Sequence, residues 1–560
     1  MALSRRSWMN GVLYLSMTGR LVFEDYLILL RGKLRVERDG IVSKKSMARA
    51  TTIVMVLGII SKIMGFVREQ LIAWFFGATG PTDAYMVALA IPTVLVGLIS
   101  NPISTTFVPV FTSYLNSGDR KNASRVASSV ITLSVGTFFI IGVVSIPFAP
   151  ALVRIYAPGF SSELFGSAVA LTRLFFPAFA LPLLAALLKA ILNSHKEFTI
   201  PGVGPFVQNL TIVALVALLA PKMGLFALAI ATIAGYLAHV LVQVPAVRKT
   251  GLELRFSTEV NEGMRKVLSL SLPLVLGGLA TQMCLMVDKN LASRLPSGSI
   301  SALGFADRLR SLPMDLFIAA VVTVIYPSLS EMWARRDKSG MGDTLLTGIR
   351  YAMFLCIPSA IGLIVLSQPL VRLAFERGAF TSQATLLTAS AVSVYSVGIV
   401  SMALSRLIGV AFYSTQDTWR PVLLALATSG LNILLNFAFV QPLGHIGLAL
   451  ANVISTWVGA MIGIWMYTKY ISGFSVRDLI RSSLKIVLCS VLMGAFAWIG
   501  AYYSGLMAGT GSAQKDLLLA ILVIGGSVLV YLVSALVFEC EEIVLVRGIF
   551  RDKLSHRKDV

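Results

Sequence analysis

Acidic residues are scarce in this chain: 27 Asp and Glu stand against 47 Lys and Arg, and charged residues make up only 13% of 560. With 56% hydrophobic residues, that composition excludes an ordinary soluble domain, in which about a quarter of residues are charged. Histidine occurs four times, and cysteine four times, at Cys284, Cys356, Cys489 and Cys540. The cysteines have no paired spacing and sit in or beside apolar segments, so they read as small core hydrophobes rather than zinc ligands or disulfides. No phosphate-cradling Gly-rich loop or nucleophile elbow occurs. Gly65, Gly77 and Gly80 follow no strand and form no such cradle, so the chain is expected to be no enzyme and to hydrolyse no ATP. No cleavable signal pattern is expected, because residues 1–50 are basic and the first long apolar run is a full span.

Long hydrophobic runs are what the chain has. Candidate spans cover 50–76, 83–105, 126–150, 164–192, 203–220, 223–245, 266–292, 300–328, 344–369, 385–414, 420–441, 445–468, 479–503 and 516–538. Most reach the roughly 20 residues that a membrane-crossing helix needs. The fifth is short, and only Pro221-Lys222-Met223-Gly224 separates it from the sixth. With the N-terminus inside, fourteen spans place about 34 Lys and Arg on inner segments and the inner ends of spans, about six on outer segments and seven deeper within spans. That asymmetry is the positive-inside pattern. The net charge of +20 therefore reports topology, and no nucleic-acid partner is expected. The expected fold is all-α and polytopic, in a bacterial cytoplasmic (inner) membrane with both termini inside.

Weak matches recur at an offset of about 220 residues. Asp119-Arg120-Lys121 is answered by Asp337-Lys338, and Ala157-Pro158-Gly159-Phe160 by Arg377-Gly378-Ala379-Phe380. Asn193-Ser194-His195-Lys196 is answered by Tyr413-Ser414-Thr415-Gln416, and Gly224-Leu225-Phe226 by Gly447-Leu448-Ala449. Six spans per copy gives two parallel lobes, an arrangement that alternates access around a midplane cavity. The expected division is a basic extension (1–47), helices 1–6 (48–246), helices 7–12 (247–468), helices 13–14 (469–539) and a basic tail (540–560). Pro92 and Pro313 occupy matching positions and are expected to bend their helices.

Ionised groups at membrane depth cost about 2.5–3.5 kcal/mol each on insertion scales and mark function. Span 1 carries Lys62, Arg68 and Glu69, with Lys62 and Glu69 nearly on one face. Asp83 stands near the outer end of span 2, span 7 has Asp288 and Lys289, and span 4 has Arg173. Span 8 holds Asp307, Arg308, Arg310 and Asp315, and span 10 Arg406. Such buried cations suit an anionic cargo, and arginine forks suit phosphate or diphosphate. Some of these charges are equally readable as ion pairs that lock helices together. No bound cofactor is expected; energy would come from the membrane potential or a monovalent cation.

The stretch Ser61-Lys62-Ile63-Met64-Gly65-Phe66-Val67-Arg68-Glu69, with Phe76-Gly77-Ala78 and Thr82-Asp83-Ala84-Tyr85, resembles the MurJ/MviN family. So do Phe107-Val108-Pro109, Ala306-Asp307-Arg308-Leu309, Phe412-Tyr413-Ser414-Thr415-Gln416-Asp417 and Pro442-Leu443-Gly444-His445. The resemblance runs from about residue 48 to 468. It implies fourteen helices, two six-helix lobes around a cationic cavity, and a hydrophobic groove from the last two helices. It implies that lipid II, an undecaprenyl-diphosphate glycolipid, is carried from the inner to the outer leaflet for peptidoglycan synthesis. Carried over, Lys62, Arg68, Asp83 and Arg308 become the substrate-binding set. Asp288, Lys289 and Asp307 also match the family pattern, and they stand with Glu69, Arg310 and Arg406 in supporting or gating roles. Two departures stand out: Thr93-Val94-Leu95-Val96-Gly97 replaces a double arginine in span 2, and Ser311 replaces an acidic residue. Arg310 or Arg406 is the candidate compensation, and export of another polyprenyl-linked glycan is the alternative function. Membrane lipids and cell-wall polymerase machinery are the further expected partners.

Overall fold

The computed structural model describes the backbone of residues 44–507 and 513–543, and among these residues it is all-α. Most of the basic extension and the tail expected at the two ends (residues 1–43 and 544–560) lie outside the described residues. The chain divides into two units, Met1–Leu57 and Gly58–Val560, and the site described below lies wholly in the second.

Helix is the natural state of apolar segments, because in lipid every backbone polar group must find its partner within the segment. The helices run α1 (Lys44–Phe76), α2 (Gly80–Asn116), α3 (Arg120–Ser145), α4 (Ala149–Tyr156), α5 (Ser162–Ala178) and α6 (Ala180–Ser194). Then follow α7 (Thr199–Met223), α8 (Leu225–Lys249), α9 (Glu262–Ala292), α10 (Ser299–Pro313), α11 (Ala319–Ala334) and α12 (Lys338–Val365). The last are α13 (Ser367–Phe375), α14 (Ser382–Ser414), α15 (Trp419–Leu443), α16 (His445–Tyr470), α17 (Val476–Tyr503) and α18 (Ala513–Val537). Twelve helical stretches among the described residues are long and apolar enough to cross a membrane, with α5–α6 and α10–α11 each counted as one. The 33-residue α1 and the 31-residue α9 stand where the first and seventh spans are expected. The protein is a polytopic helical membrane protein.

Positions paired by the sequence repeat share local structure. Asp119 caps α3 by accepting from Asn122 N, and Asp337 caps α12 by accepting from Gly340 N. Ser161 and Thr381 cap α5 and α14 in the same way. Gly224 (φ +54°) is matched in the structure by Gly444 (φ +58°) rather than by Gly447, and both, with ψ −133°, make the turns between α7 and α8 and between α15 and α16. The Pro221–Gly224 boundary is therefore a true break, made by a glycine in backbone space that L-residues avoid. Two short amphipathic helices, α4 and α13, emerge at matching places, mostly in the connections that follow the expected spans 126–150 and 344–369.

Pro92 and Pro313 part company. Pro92 lies inside the uninterrupted α2. Pro313 ends α10 and leads into a π-helical turn, Met314–Ile318, a wide turn of the kind that often sits at functional sites. The fourth span also breaks, at Phe179 between α5 and α6.

Helix α9 packs against both α2 and α15, so it joins the two repeats. Thr106 Oγ1 lies 2.7 Å from Ser271 Oγ on the α2 side, and Asn436 Nδ2 donates to Asp288 on the α15 side at 2.6 Å. The last two helices attach mainly through α17, which lies on α12 and α18. Ile486, Cys489 and Met493 are buried there with Phe354 and Ile357, and the Tyr531 hydroxyl donates to Phe354 O at 2.7 Å.

Candidate functional site: an arginine pair below a closed outer end

At the outer end, as the positive-inside orientation sets it, the two repeats are sealed together. Asp83, on the first turn of α2, is 3% exposed. Its carboxylate reaches across to the start of α10, accepting from Gly298 N, Ser301 N and Ser301 Oγ, each at 2.7 Å. An anion there satisfies orphan N–H groups and meets the positive end of the helix dipole. Gly298 holds φ +93°, and a Cβ on it would collide with Ala78 O. Close by, Ala379 N donates to Trp74 O at 2.8 Å, and Gln70 Nε2 donates to Ala374 O at 3.0 Å. Phe66, Phe305, Phe375 and Phe380 interlock around that contact.

On the inner side of the Asp83 contact, with Arg308 seven residues after Ser301 on α10, lies the charge cluster. Glu69 is 6% exposed. Its Oε1 accepts from Arg68 Nη2 at 2.6 Å and lies 3.4 Å from Arg308 Nε. Arg68 Nη1 also donates to Asn209 Oδ1 on α7 at 2.9 Å. The carboxylate thus holds two arginines, one from each repeat, at one point. The Arg308 side chain remains 57% exposed, against 22% for Arg68, so the pair keeps an open face. Such a pair of fixed guanidinium forks suits a diphosphate geometrically and electrostatically.

Lys62 faces elsewhere. Its Nζ sits 3.2 Å from Asp315 Oδ2 and donates to Asp315 O at 3.1 Å, so it meets the π-helical turn of the opposite repeat. Glu69 lies on almost the same face but seven residues on, about 10.5 Å along the helix axis, and the adjacent Arg68 takes it. The remaining charges, Arg173 apart, lie in the second repeat. Arg310 pairs with Asp307 at 2.8 Å, donates to Asn452 Oδ1 at 3.0 Å, and stacks 4.1 Å over the Tyr395 ring. Asp288 belongs to a chain of amides in which Asn436 donates to Asn432 at 2.8 Å, and Cys284 Sγ donates to Asn432 Oδ1 at 2.9 Å. Lys289 stands within electrostatic reach of Asp83, Asp288 and Asp307 and closes no short ion pair among the described residues.

A cavity of about 850 Å³ runs along this second repeat. Asp288, Arg310, Asp315 and Arg406 line it, and it reaches Tyr413 and Pro421 at the inner ends of α14 and α15. Arg406 forms no ion pair among the described residues, nor does Arg173, which stands apart on α5. The structure thus brings Arg68, Glu69 and Arg308 together, gathers Asp288, Arg310 and Arg406 around the cavity, and puts Asp83 at the seal. Gly298, Ser301, Tyr395 and Asn452 escaped the sequence reading, since backbone donors and lone neutral polar groups leave no signal there. Asp315 was visible, seven residues after Arg308, but without a partner. No cluster of metal-ligating residues occurs among the described residues.

Comparison with known proteins agrees with this geometry. A family profile described as "Lipid II flippase MurJ" matches residues 72–514. A "Lipid II flippase MurJ" of Burkholderia cenocepacia is 30% identical over 424 residues, 74% of this chain and 82% of that protein. The solved structure "Lipid II flippase MurJ, inward closed conformation" superposes with TM-score 0.72 at 27% identity, over 89% of this chain and 100% of that one. An inward-facing multidrug resistance MATE family transporter of the MOP superfamily gives TM-score 0.61 at 14% identity, over 76% and 98%, which is a likeness of fold alone.

Proposed function

The chain belongs to the MurJ family of lipid II flippases, and on that premise we propose that it moves lipid II from the inner to the outer leaflet by alternating access. Arg68 and Arg308 take the diphosphate, and Glu69 holds them at the meeting point of two lobes, residues 48–246 and 247–468. Lys62 adds positive field from its place beside Asp315. Asp83 closes the outer end on Gly298 and Ser301, and Lys289 steadies that end. Asp288, Asp307, Arg310 and Arg406 shape the cavity of the second lobe. The observation that carries the reading is the Arg68–Glu69–Arg308 contact, at 2.6 Å and 3.4 Å, directly below the seal.

Moving the polyprenyl tail out of lipid would cost about 0.8 kcal/mol per CH₂, so the head group crosses while the tail stays in an apolar setting. Helices α17 and α18, within residues 469–539, supply that setting. An inside-negative potential favours outward movement of an anion by about 2.3 kcal/mol per charge per 100 mV, an energy source that needs no nucleotide. Delivery at the outer leaflet would place the protein beside the cell-wall polymerase that consumes lipid II.

The test is leaflet translocation in liposomes that hold the purified full chain, with labelled lipid II beside another undecaprenyl-diphosphate glycolipid. Lipid II movement abolished by Arg68→Ala and by Arg308→Ala supports the reading. Movement of the other glycolipid alone would transfer the protein to polysaccharide export. Undiminished lipid II movement in both variants would remove the arginine pair from the mechanism.

A further inference from the structure

A second concavity, of about 660 Å³, opens on the inner side of the second repeat. Tyr326, Trp333, Arg336, Lys338 and Tyr413 line it. Tyr413 also lines the central cavity, so the two spaces meet at that ring. Tyr326 and Tyr413 are 44% and 49% exposed, and Trp333 stands 6.2 Å from Tyr470. The walls are thus aromatic side chains that the neighbouring helices leave partly uncovered.

The charge here is one-sided. Lys338 Nζ lies 5.4 Å over the Tyr470 ring, and Arg336 forms no ion pair among the described residues. The nearby carboxylates are turned to other partners: Glu331 to Arg335, Asp337 to the N-terminus of α12, and Asp417 to Arg420. Arg336 also sits in an expensive conformation, φ +60°. The position before the capping aspartate in the first repeat is Gly118, φ +75°. Left-handed backbone is strained for a residue with a Cβ and nearly free for glycine. An arginine in that place, unpaired and facing a pocket, points to a ligand.

We propose that this vestibule docks the sugar–peptide portion of the transported lipid on the inner side, before its diphosphate reaches Arg68 and Arg308. Apolar faces of the sugar rings lie on Tyr326, Trp333 and Tyr413, and carboxylates of the acidic stem peptide meet Arg336 and Lys338. Rigid aromatic anchors with a few placed charges are the usual makeup of such sites. The proposal rests on the lipid II reading above and adds the place where the head group is recognised.

The probe is the soluble disaccharide–pentapeptide, free of lipid and diphosphate, titrated calorimetrically against the detergent-solubilised full chain. Wild type should bind it saturably. Arg336→Gly should weaken binding about tenfold, as expected for one charge-assisted contact, while its melting temperature holds or rises because the strained turn is relieved. Trp333→Ala should weaken binding similarly. In liposomes, Arg336→Gly should raise the half-saturating lipid II concentration and leave binding of undecaprenyl diphosphate, which lacks the sugar, unchanged. Failure of wild type to bind the probe, or equal binding by Arg336→Gly, overturns the vestibule. If lipid II transport persists and still needs Arg68, the function survives that failure. Probe binding without any lipid II transport would keep the vestibule as a glycopeptide site and remove the function.

Discussion

Replacing Asp83 with asparagine should loosen the outer seal. The aspartate accepts three hydrogen bonds from the start of α10, one oxygen serving Gly298 N and the other both Ser301 donors. Asparagine keeps an acceptor for Ser301 but presents an NH₂ to Gly298 N–H, so two donors face each other. A lost bond to a charged group is worth about 1.5–3 kcal/mol, and a stranded buried N–H costs about 1–3 kcal/mol. Taking about 3 kcal/mol in all, the closed-to-open ratio falls by about two powers of ten. A protein almost wholly closed outside would become a mixture. Spin labels at Glu163 and Gln383, exposed on the first turns of α5 and α14, report the outer separation by pulsed dipolar spectroscopy. In Asp83→Asn the distance distribution should gain a longer component that is absent from wild type. An unchanged distribution in a folded variant would refute the assignment of Asp83 to the seal.

Glu69→Gln should abolish lipid II translocation and lower the melting temperature by several degrees, because Arg68 and Arg308 are left without their shared anion and breaking a buried pair costs about 3–5 kcal/mol; a full-rate variant would contradict this. Gly298→Ala should destabilise the protein and weaken the outer seal, since the added Cβ meets Ala78 O at φ +93°; the same spin labels and a thermal melt check it. The Arg350 guanidinium hydrogen-bonds Glu541 at 2.7 Å and holds its carboxyl below the usual carboxylate range. A depressed carboxylate contributes stability above its unfolded pKa of about 4.3 and loses it as pH falls through the lower folded value. Melts of wild type and Glu541→Gln, which leaves the Arg350–Glu542 pair at 2.7 Å in place, should therefore differ by a constant amount from pH 8 to about pH 5 and converge below about pH 4.

The charged part of the site was legible because ionised residues in apolar runs are conspicuous, and so Arg68, Arg308 and Asp83 were singled out from sequence. Their partners were not. Helical phase put Lys62 and Glu69 on one face, but phase ignores the rise along the axis, and Glu69 went to its neighbour and to Arg308 across the repeats. Asp83 is satisfied by backbone donors at Gly298 and Ser301, which no residue type announces. The even spacing of apolar runs gave the long helices. It could not give the π-helical turn after Pro313, since Pro92 in the matching position stays within regular helix. Helices α4 and α13 were hidden because, at 8 and 9 residues, they are too short to carry a clear periodicity and lie mostly beyond the apolar runs that end at 150 and 369.

The most direct measurement is an electron cryomicroscopy structure of the full chain bound to lipid II. The account predicts diphosphate density within hydrogen-bonding distance of Arg68 and Arg308, below a seal still closed by Asp83. Diphosphate density held by Arg406 or Arg310 in the second repeat, with Arg68 and Arg308 still joined only through Glu69, would contradict it.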